Sequence, residues 1–361
     1  MAQTRGTCDE RFEAVRAALE ASLDVGASVA VYLDGEPVVD LWGGYADAER
    51  TQPWERDTIT CVFSTTKTMA ALCALILADR GELDLDAPVA RYWPEFAAAG
   101  KEKVLVRHVL GHTSGLPTWQ EPLRPEQLYD WATATRLLAE QAPSSEPGVV
   151  GGYHAVTQGY LIGEVVHRIT GRSLGAFFAE EVAGPLGADF HIGLPAEHDD
   201  RVAPVIPATT RAPEIVARGP GNPPLAAEIA NTEAWRRAEV PSANGFGNAR
   251  SVAAVQSILA CGGEARGVRL LSPAGCERAL EEQFAGEDEV LGARIRYGMG
   301  YAVQGRTCSW GGWGGSIVTT DLDTHLTVAY VMNQMVEQGP LGDDRGLGIV
   351  MAAYEGLGNL R

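Results

Sequence analysis

Strand-like sequence is concentrated at the two ends of this chain, and no other feature restricts its fold as strongly. Five segments are rich in β-branched and aromatic residues, namely residues 27–33, 37–44, 297–303, 315–320 and 326–332. The dipeptide Asp34-Gly35 separates the first two segments and favours a tight hairpin turn. Most of the sequence between the two groups has helical spacing instead.

These segments predict an α+β fold in which both ends of the chain share one antiparallel sheet. Residues 11–23 have the apolar spacing of an opening helix, and residues 346–357 predict a final helix that covers the sheet. We expect residues 1–95 and 286–361 to form one sheet domain. Residues 96–285 would form an inserted, mainly helical lobe, with the active site between the two.

The charge of the chain argues against polyanions as partners. Its 361 residues include 29 Lys and Arg against 47 Asp and Glu, a net charge of −18, whereas nucleic acids and anionic membranes attract basic surfaces. The longest strongly apolar run, residues 69–78, is about half the length that crosses a bilayer, so we interpret it as a buried helix. The start of the chain lacks the apolar segment of a secretory signal, which predicts a cytoplasmic protein.

The cysteines predict neither a disulfide framework nor a metal site. They lack Cys-x-x-Cys spacing and are scattered along the chain, at Cys8, Cys61, Cys73, Cys261, Cys276 and Cys308. This distribution is typical of reduced and mostly buried thiols. We expect no metal and no cofactor.

The sharpest chemical feature is a serine followed three residues later by a lysine, Ser64 and Lys67, just before the apolar run. Side chains three residues apart lie on one face of a helix, so the hydroxyl and the amine can meet. A lysine in an apolar setting has a lowered pKa and can help to take the serine proton. Free N–H groups in the first turn of the helix would also face a developing oxyanion. The same pattern arises by chance, with the serine as an ordinary helix cap.

A second candidate nucleophile is Ser173, in the Gly-x-Ser-x-Gly pattern of residues 171–175. In α/β-hydrolases this pattern needs a strand before it and a helix after it. Residues 160–169 have helical spacing instead, so we expect Gly171 to end that helix and Ser173 to cap the next. The sequence therefore disfavours Ser173.

Other patterns are weaker. Ser242 and Asn244 form a Ser-x-Asn pattern, but they open a glycine-rich turn, and we interpret them as a loop near the pocket rim. His108 and His112 have the spacing of a metal pair, but Gly111 interrupts the helix and no third ligand is evident. The proline-rich residues 203–224 predict a long surface loop or pocket rim.

Several ordered segments together resemble the serine β-lactamase and penicillin-binding protein superfamily, most closely the class C-like branch that includes family VIII carboxylesterases. The matching segments are Ser64 to Lys67 for the nucleophile motif, residues 110–117 for LxHxSGLP, Tyr153-His154-Ala155 for the tyrosine motif, and Trp310-Gly311-Gly312 for the Lys-Thr-Gly or His-Thr-Gly strand. The resemblance extends from about residue 27 to residue 335. It implies a β-lactamase-like fold, an antiparallel sheet flanked by helices.

The resemblance implies that Ser64 attacks a carbonyl carbon and becomes acylated. Tyr153, held as or near a phenolate by Lys67, would act as general base for the attack and as acid for the leaving group. Water would then repeat the cycle on the acyl-enzyme. The pKa of the phenol, ordinarily about 10, would have to fall by several units.

The same resemblance implies the remaining site residues. The backbone N–H groups of Ser64 and Trp313 would form the oxyanion hole. The residues that would line the substrate are Trp310, Gly311 and Gly312, where glycines let a ligand approach the backbone. His154 is a further candidate for a substrate contact, with a packed histidine as the plainer interpretation.

Two departures from the β-lactamase motifs narrow the substrate. Ala155 stands where β-lactamases have the Asn of Tyr-x-Asn, so the amide that would hold a substrate amide is absent. Trp310 stands where they have the Lys of Lys-Thr-Gly, so the cation that would bind a substrate carboxylate is absent too. Because a buried carboxylate without a partner is unfavourable, an indole here favours uncharged esters. The Trp-Gly-Gly variant also occurs among family VIII esterases.

We therefore expect a serine carboxylesterase that cleaves small uncharged esters through an acyl-enzyme at Ser64. An acyltransferase with the same acyl-enzyme stays open, because the sequence does not show which acceptor the pocket admits. A β-lactamase or D-Ala peptidase is disfavoured by Ala155 and Trp310. A non-catalytic binding module is disfavoured because the chain retains the catalytic serine, lysine and tyrosine.

Overall fold

The computed structural model describes residues 4–209, 221–336 and 343–358. The strands of this part of the chain are β1 (Arg5–Cys8), β2 (Gly26–Leu33), β3 (Glu36–Gly44), β4 (Thr60–Cys61), β5 (His191–Ile192), β6 (Gly245–Gly247), β7 (Glu264–Ala265), β8 (Val268–Arg269), β9 (Phe284–Glu287), β10 (Arg294–Tyr297), β11 (Ala302–Gln304), β12 (Thr307–Gly311), β13 (Ile317–Asp321) and β14 (Leu326–Met332).

The α-helices of the same residues are α1 (Glu13–Ser22), α2 (Thr66–Asp79), α3 (Val106–Leu110), α4 (Trp131–Glu140), α5 (Thr157–Thr170), α6 (Leu174–Phe178), α7 (Gly184–Leu186), α8 (Glu233–Arg237), α9 (Ala249–Ala260), α10 (Pro273–Arg278) and α11 (Asp344–Gly358). Short 3-10 turns join several of them. None of the described helices has both the length and the apolar character needed to cross a membrane.

Both ends of the chain meet in one sheet, as the sequence predicts. Nine strands follow the order β1-β3-β2-β14-β13-β12-β11-β10-β9, and all neighbouring pairs are antiparallel. The β2–β3 hairpin turns at Asp34 and Gly35, whose φ angles of +51° and +81° fit a tight turn. The α+β fold and the shared sheet are confirmed. The division at residues 96 and 285 stays a prediction.

One predicted strand was wrong. Residues 297–303 do not form a single strand, because β10 ends at Tyr297 and β11 begins at Ala302. Gly298 and Tyr301 close a turn between them, and Gly300 has a φ of +88°, which is incompatible with a strand. Strands β1 and β9 have no counterpart among the predicted segments.

Two apolar cores cover the two faces of the large sheet. On one face, α1 and α11 contact each other and pack over residues of β2, β3 and β14, such as Val29 and Val328. On the other face lie α9 and the buried helix α2, which also contacts α5 and α6 of the helical region. A small sheet, β4-β6-β5, sits beside α2. The chain enters α2 directly from this small sheet, and that junction holds the candidate site.

Candidate active site

The serine of the Ser-x-x-Lys motif lies in a tight turn at the start of α2. Strand β4 leads into one turn of 3-10 helix, Phe63–Thr65, and α2 continues from it. Phe63 has a φ of +43°, in the left-handed region that a bulky residue rarely adopts. Backbone strain of this kind is concentrated at functional sites, and here it directs the next residue, Ser64.

Lys67 reaches Ser64 from the first turn of α2. Its Nζ lies 3.2 Å from the Oγ of Ser64, as the three-residue spacing predicts. The same Nζ donates to the carbonyl of Ala155 at 2.7 Å and to the carbonyl of Ser242 at 2.9 Å. The side chain is fully buried, and this desolvation lowers the pKa of Lys67 well below its ordinary value. Burial therefore favours the neutral amine.

Tyr153 contacts Ser64 from the opposite side. Its hydroxyl donates to the Oγ of Ser64 at 2.8 Å. Burial raises the pKa of Tyr153 to about 12, an effect that its contact with Ser64 only partly offsets. The expectation that Lys67 holds this residue as a phenolate thus finds no support in the free site, because Lys67 is itself desolvated and bonds to carbonyls and to Ser64.

Two backbone N–H groups are the expected oxyanion donors. One belongs to Ser64 and the other to Trp313, in a turn that the Gly315 N–H closes onto the carbonyl of Gly312 at 3.0 Å. Within the described residues, neither N–H group has a hydrogen-bond acceptor. The rings of Phe63 and Trp313 also touch, with centroids 5.3 Å apart. This ring contact places the turn that contains Trp313 next to the turn that contains Ser64, and their role as oxyanion donors stays a prediction.

Trp310 packs against Tyr153 and exposes only 1% of its surface. Its ring stacks on His112 with centroids 5.6 Å apart and lies 5.5 Å from the ring of Tyr153. Its Nε1 makes no hydrogen bond of ordinary geometry to the described residues. Its approach to Tyr153 favours the phenolate and partly offsets the increase that burial causes in the pKa of Tyr153. The indole therefore packs against the site as an apolar wall.

Gly311 is the last residue of β12, and Gly312 follows it. This strand is interior rather than an edge, but its pairing with β11 ends at Ser309, so Gly311 has a partner only on the β13 side, at Ile317. A Cβ on Gly312 would lie 2.1 Å from the carbonyl oxygen of Val62. The motif needs glycine here because two backbones touch.

The ring of His154 is held by Ser114 and Gly152. It is fully buried, and its ring nitrogens lie 2.6 Å from the Oγ of Ser114 and 2.5 Å from the carbonyl oxygen of Gly152. Burial lowers the pKa of His154 to about 4, so the ring is neutral. The expected substrate contact finds no support, and the geometry fits the packed histidine.

Sequence reasoning missed the two carbonyls that hold Lys67. Ser242, interpreted above as part of a rim loop, is fully buried and presents its carbonyl to the amine. The side chain of Asn244 shapes this turn by accepting from the N–H of Val240 at 2.8 Å and donating to the carbonyl of Ala238 at 2.6 Å. The Ser-x-Asn spacing was the available signal.

The rival nucleophile has a structural task instead. Ser173 is the N-cap of α6, accepting from the N–H of Ala176, and its hydroxyl donates to Glu239 at 2.6 Å. The segment before it is helix α5, which ends at Gly171 with a φ of +71°, as predicted. Among the described residues, no group of three potential ligands could hold a metal ion.

The family model described as Beta-lactamase matches residues 15–350. The esterase/beta-lactamase LipL of Mycobacterium tuberculosis is 34% identical over 370 residues, covering 94% of this chain and 85% of that protein.

Two solved structures are similar over the whole chain. A family VIII carboxylesterase is 42% identical with a TM-score of 0.92, covering 98% of this chain and 100% of that chain. A penicillin-binding protein homologue from Caulobacter crescentus is 36% identical with a TM-score of 0.90, with the same coverage of both chains.

Proposed function

This chain belongs to the beta-lactamase family, and we propose that it is a serine carboxylesterase that hydrolyses small uncharged esters through an acyl-enzyme at Ser64. One observation carries the proposal. The Oγ of Ser64 lies 3.2 Å from the buried Nζ of Lys67 and 2.8 Å from the hydroxyl of Tyr153, and the N–H groups of Ser64 and Trp313 have no acceptor among the described residues. This arrangement provides a nucleophile, a base, an acid and an oxyanion hole.

Acylation begins with Lys67 as the base. A neutral amine has two N–H bonds, which the carbonyls of Ala155 and Ser242 accept, and its lone pair then faces the hydroxyl of Ser64. The serine proton moves to this lone pair as Oγ attacks the ester carbonyl. The N–H groups of Ser64 and Trp313 stabilise the resulting oxyanion. Tyr153 gives its proton to the departing alkoxide, and the alcohol leaves.

Deacylation reverses these proton transfers. The acyl-enzyme contains the ammonium of Lys67 and the phenolate of Tyr153, with Nζ lying 4.9 Å from the centroid of the tyrosine ring in the free site. The phenolate takes a proton from water as the water attacks the acyl carbon. The ammonium returns its proton to the Oγ of Ser64 as the C–O bond breaks. The carboxylic acid leaves, and both side chains are again neutral.

The surroundings of the site favour an uncharged substrate. Trp310 presents an indole where a carboxylate would need a cation, and Ala155 has no side-chain amide. Arg345 reaches the turn beside Trp313 through the carbonyl of Gly314 at 2.9 Å, but its guanidinium is paired with Asp343 and Asp24. The paired guanidinium is a poor partner for a substrate carboxylate.

The names of the relatives agree with ester hydrolysis as the general chemistry. LipL is described as an esterase and β-lactamase, and the 42% identical structure is a carboxylesterase. These relatives support hydrolysis of esters more directly than hydrolysis of β-lactams.

The test measures release of p-nitrophenol from a series of acetyl to octanoyl esters, together with hydrolysis of a chromogenic cephalosporin. The wild type should turn over the esters and cleave the cephalosporin poorly. Ser64→Ala should abolish ester turnover, whereas the cap-removing control Ser173→Ala should retain it. Ester turnover that survives Ser64→Ala would refute the mechanism. Strong cephalosporin turnover with weak esterase activity would refute the substrate class, and transfer products formed with added alcohols would establish acyl transfer.

A further inference from the structure

Ser316 contacts both halves of the oxyanion hole, although its side chain does not face the reacting atoms. It lies just before β13 and exposes 1% of its surface. Its Oγ donates to the carbonyl of Val62 at 2.9 Å and lies 2.9 Å from the Oγ1 of Thr65. Val62 and Thr65 bracket the 3-10 turn that presents Ser64.

The two hydroxyls form a chain with only one arrangement of protons. A hydroxyl donates one hydrogen, and that of Ser316 goes to the carbonyl of Val62, so Thr65 must donate to Ser316. The N–H of Thr65 also bonds to the carbonyl of Val62, at 3.2 Å, and closes the turn around Ser64. The side chain of Ser316 therefore holds both ends of the nucleophile turn.

The backbone of Ser316 holds the other half of the hole. Its carbonyl accepts from the N–H of Gly312 at 2.7 Å, and Gly312 is the first residue of the turn that presents Trp313. A Cβ on Gly312 would lie 2.3 Å from the Oγ of Ser316 and 2.1 Å from the carbonyl oxygen of Val62. The two turns thus meet at a point where Ser316 bonds to each.

We propose that Ser316 is a positioning residue that fixes the separation of the Ser64 and Trp313 N–H groups. This inference deepens the proposed function and rests on it, because it assigns a support to the oxyanion hole of that mechanism. The hydrogen bond from the N–H of Gly312 to the carbonyl of Ser316 is independent of the Ser316 hydroxyl. Removing the hydroxyl therefore releases the Ser64 side of the hole and leaves the Trp313 turn closed.

Loss of the Ser316 hydroxyl should weaken stabilisation of the tetrahedral intermediate more than binding of the ester. A planar ester carbonyl tolerates a wider hole, whereas an oxyanion needs both donors at hydrogen-bond distance. Ser316→Ala should lower kcat/KM for p-nitrophenyl butyrate by ~10- to 100-fold. Binding of N-(4-nitrophenyl)butyramide, a ground-state analogue with a planar carbonyl, should stay within about threefold of the wild type.

The experiment compares that analogue with phenylboronic acid. The boron forms a bond to the Oγ of Ser64, the serine proton passes to Lys67, and one boron hydroxyl occupies the hole as the oxyanion does. The inhibition constant of phenylboronic acid should rise by about the same factor as kcat/KM falls in Ser316→Ala. The matched control is Ser257→Ala, which removes another buried hydroxyl, one that donates to the carbonyl of Ala254 at 2.9 Å.

Several outcomes would overturn the proposal. They are wild-type kcat/KM in Ser316→Ala, an equal loss in Ser257→Ala, and equal weakening of boronate and amide binding. If Ser316→Ala does not fold, Thr65→Val removes the first bond of the hydroxyl chain at nearly constant volume. It should weaken boronate binding selectively by a smaller factor, and an unchanged value would also overturn the proposal. Turnover that survives Ser64→Ala would refute the proposed function instead, so the two failures are distinguishable.

Discussion

Lys67 and Lys101 occupy similar surroundings in different regions of the molecule. Both are fully buried, and both donate to backbone carbonyls. The Nζ of Lys67 lies 4.9 Å from the ring centroid of Tyr153, and the Nζ of Lys101 lies 5.2 Å from that of Phe96. Burial lowers both pKa values, that of Lys101 to about 8. Burial and pKa direction therefore do not separate a reactive lysine from a structural one.

The third hydrogen-bond partner separates them. Lys101 donates to the carbonyls of Ala98 at 2.8 Å and Ala139 at 2.9 Å and also to that of Gln141, so its three N–H bonds all have fixed acceptors. Lys67 has only two carbonyls, and the hydroxyl of Ser64 takes the third direction. Three carbonyls favour the ammonium, whereas two are satisfied by a neutral amine that keeps its lone pair for the nucleophile.

We expect the largest effect from replacing Lys67, the proposed base. Lys67→Met should lower kcat/KM for p-nitrophenyl butyrate about 10³-fold, because the base and its lone pair are lost. The unfolding midpoint should fall by less than in the Lys101 variant below, because two carbonyls, those of Ala155 and Ser242, lose a donor instead of three. Steady-state kinetics and thermal unfolding of the same preparation measure both. Retention of more than a tenth of the activity would assign the base elsewhere.

The structural lysine should give the opposite pair of results. Lys101→Met leaves three buried carbonyls without their donor, among them that of Ala139 in the last turn of α4, where helix carbonyls lack intrahelical partners. We expect a loss of about 2–4 kcal/mol in the free energy of unfolding by urea. Activity per folded molecule should stay near that of the wild type.

The control for this variant is Lys103→Met, two residues away on the exposed surface. It removes the same charge and the same side chain without breaking the carbonyl contacts. Its stability should match the wild type within about 0.5 kcal/mol. Equal losses in Lys101→Met and Lys103→Met would attribute the effect to charge rather than to the buried clamp.

The comparison also explains which parts of the site could be predicted from the sequence. Ser64, Lys67 and Tyr153 stand in motifs of side chains, and side chains are what a sequence displays. The acceptors that distinguish the two lysines are backbone carbonyls, and every residue has one. The Ser-x-Asn pattern marks the turn of Ser242 but not the use of its carbonyl, and the carbonyl of Ala155 has no signature in residue type. The sequence does not mark Lys101 as buried, because a lysine in a turn is ordinarily exposed.

The fold was predictable to a similar depth. The shared antiparallel sheet followed from strand-like composition at both ends, and Gly171 marked the end of α5 correctly. The segment 297–303 failed because its apolar residues continue through a turn, and the φ of +88° at Gly300 is a tertiary property. The protonation state of Tyr153 could not be read from the sequence for a related reason, since its pKa depends on how completely the folded chain excludes water.

The pH dependence of kcat/KM should follow the deprotonation of Lys67 alone. The kcat/KM of the wild type should rise with pH as the ammonium of Lys67 deprotonates, at a pKa below the ordinary lysine value, and then level off. Tyr153 stays protonated until the pH approaches about 12, so the acid for the leaving group remains available. If the phenolate were the base in the free enzyme, kcat/KM would keep rising toward that pH. Lys101→Met should show the same profile as the wild type.

The smallest expected effect is the pH dependence of stability. The part of it that differs between the wild type and the Lys101 variant should follow the protonation of Lys101 alone. The pKa of Lys101 is about 8 in the folded chain against an ordinary value of 10.5. Below about 8 the amine is charged in both states, and the folded chain bears the full penalty of burying the charge. Between these two values only the unfolded chain retains the proton, so the stability of the wild type rises with pH.

Lys101→Met lacks this contribution, whereas Lys67 titrates alike in both chains and cancels in their difference. The difference in free energy of unfolding between wild type and Lys101→Met should therefore increase from pH 8 to pH 10.5, by up to ~3 kcal/mol, and then level off. Urea unfolding at a series of pH values measures it, with Lys103→Met run in parallel. A difference that stays constant with pH would mean that Lys101 keeps its proton in the folded chain. The clamp of three carbonyls would then outweigh the desolvation of the amine.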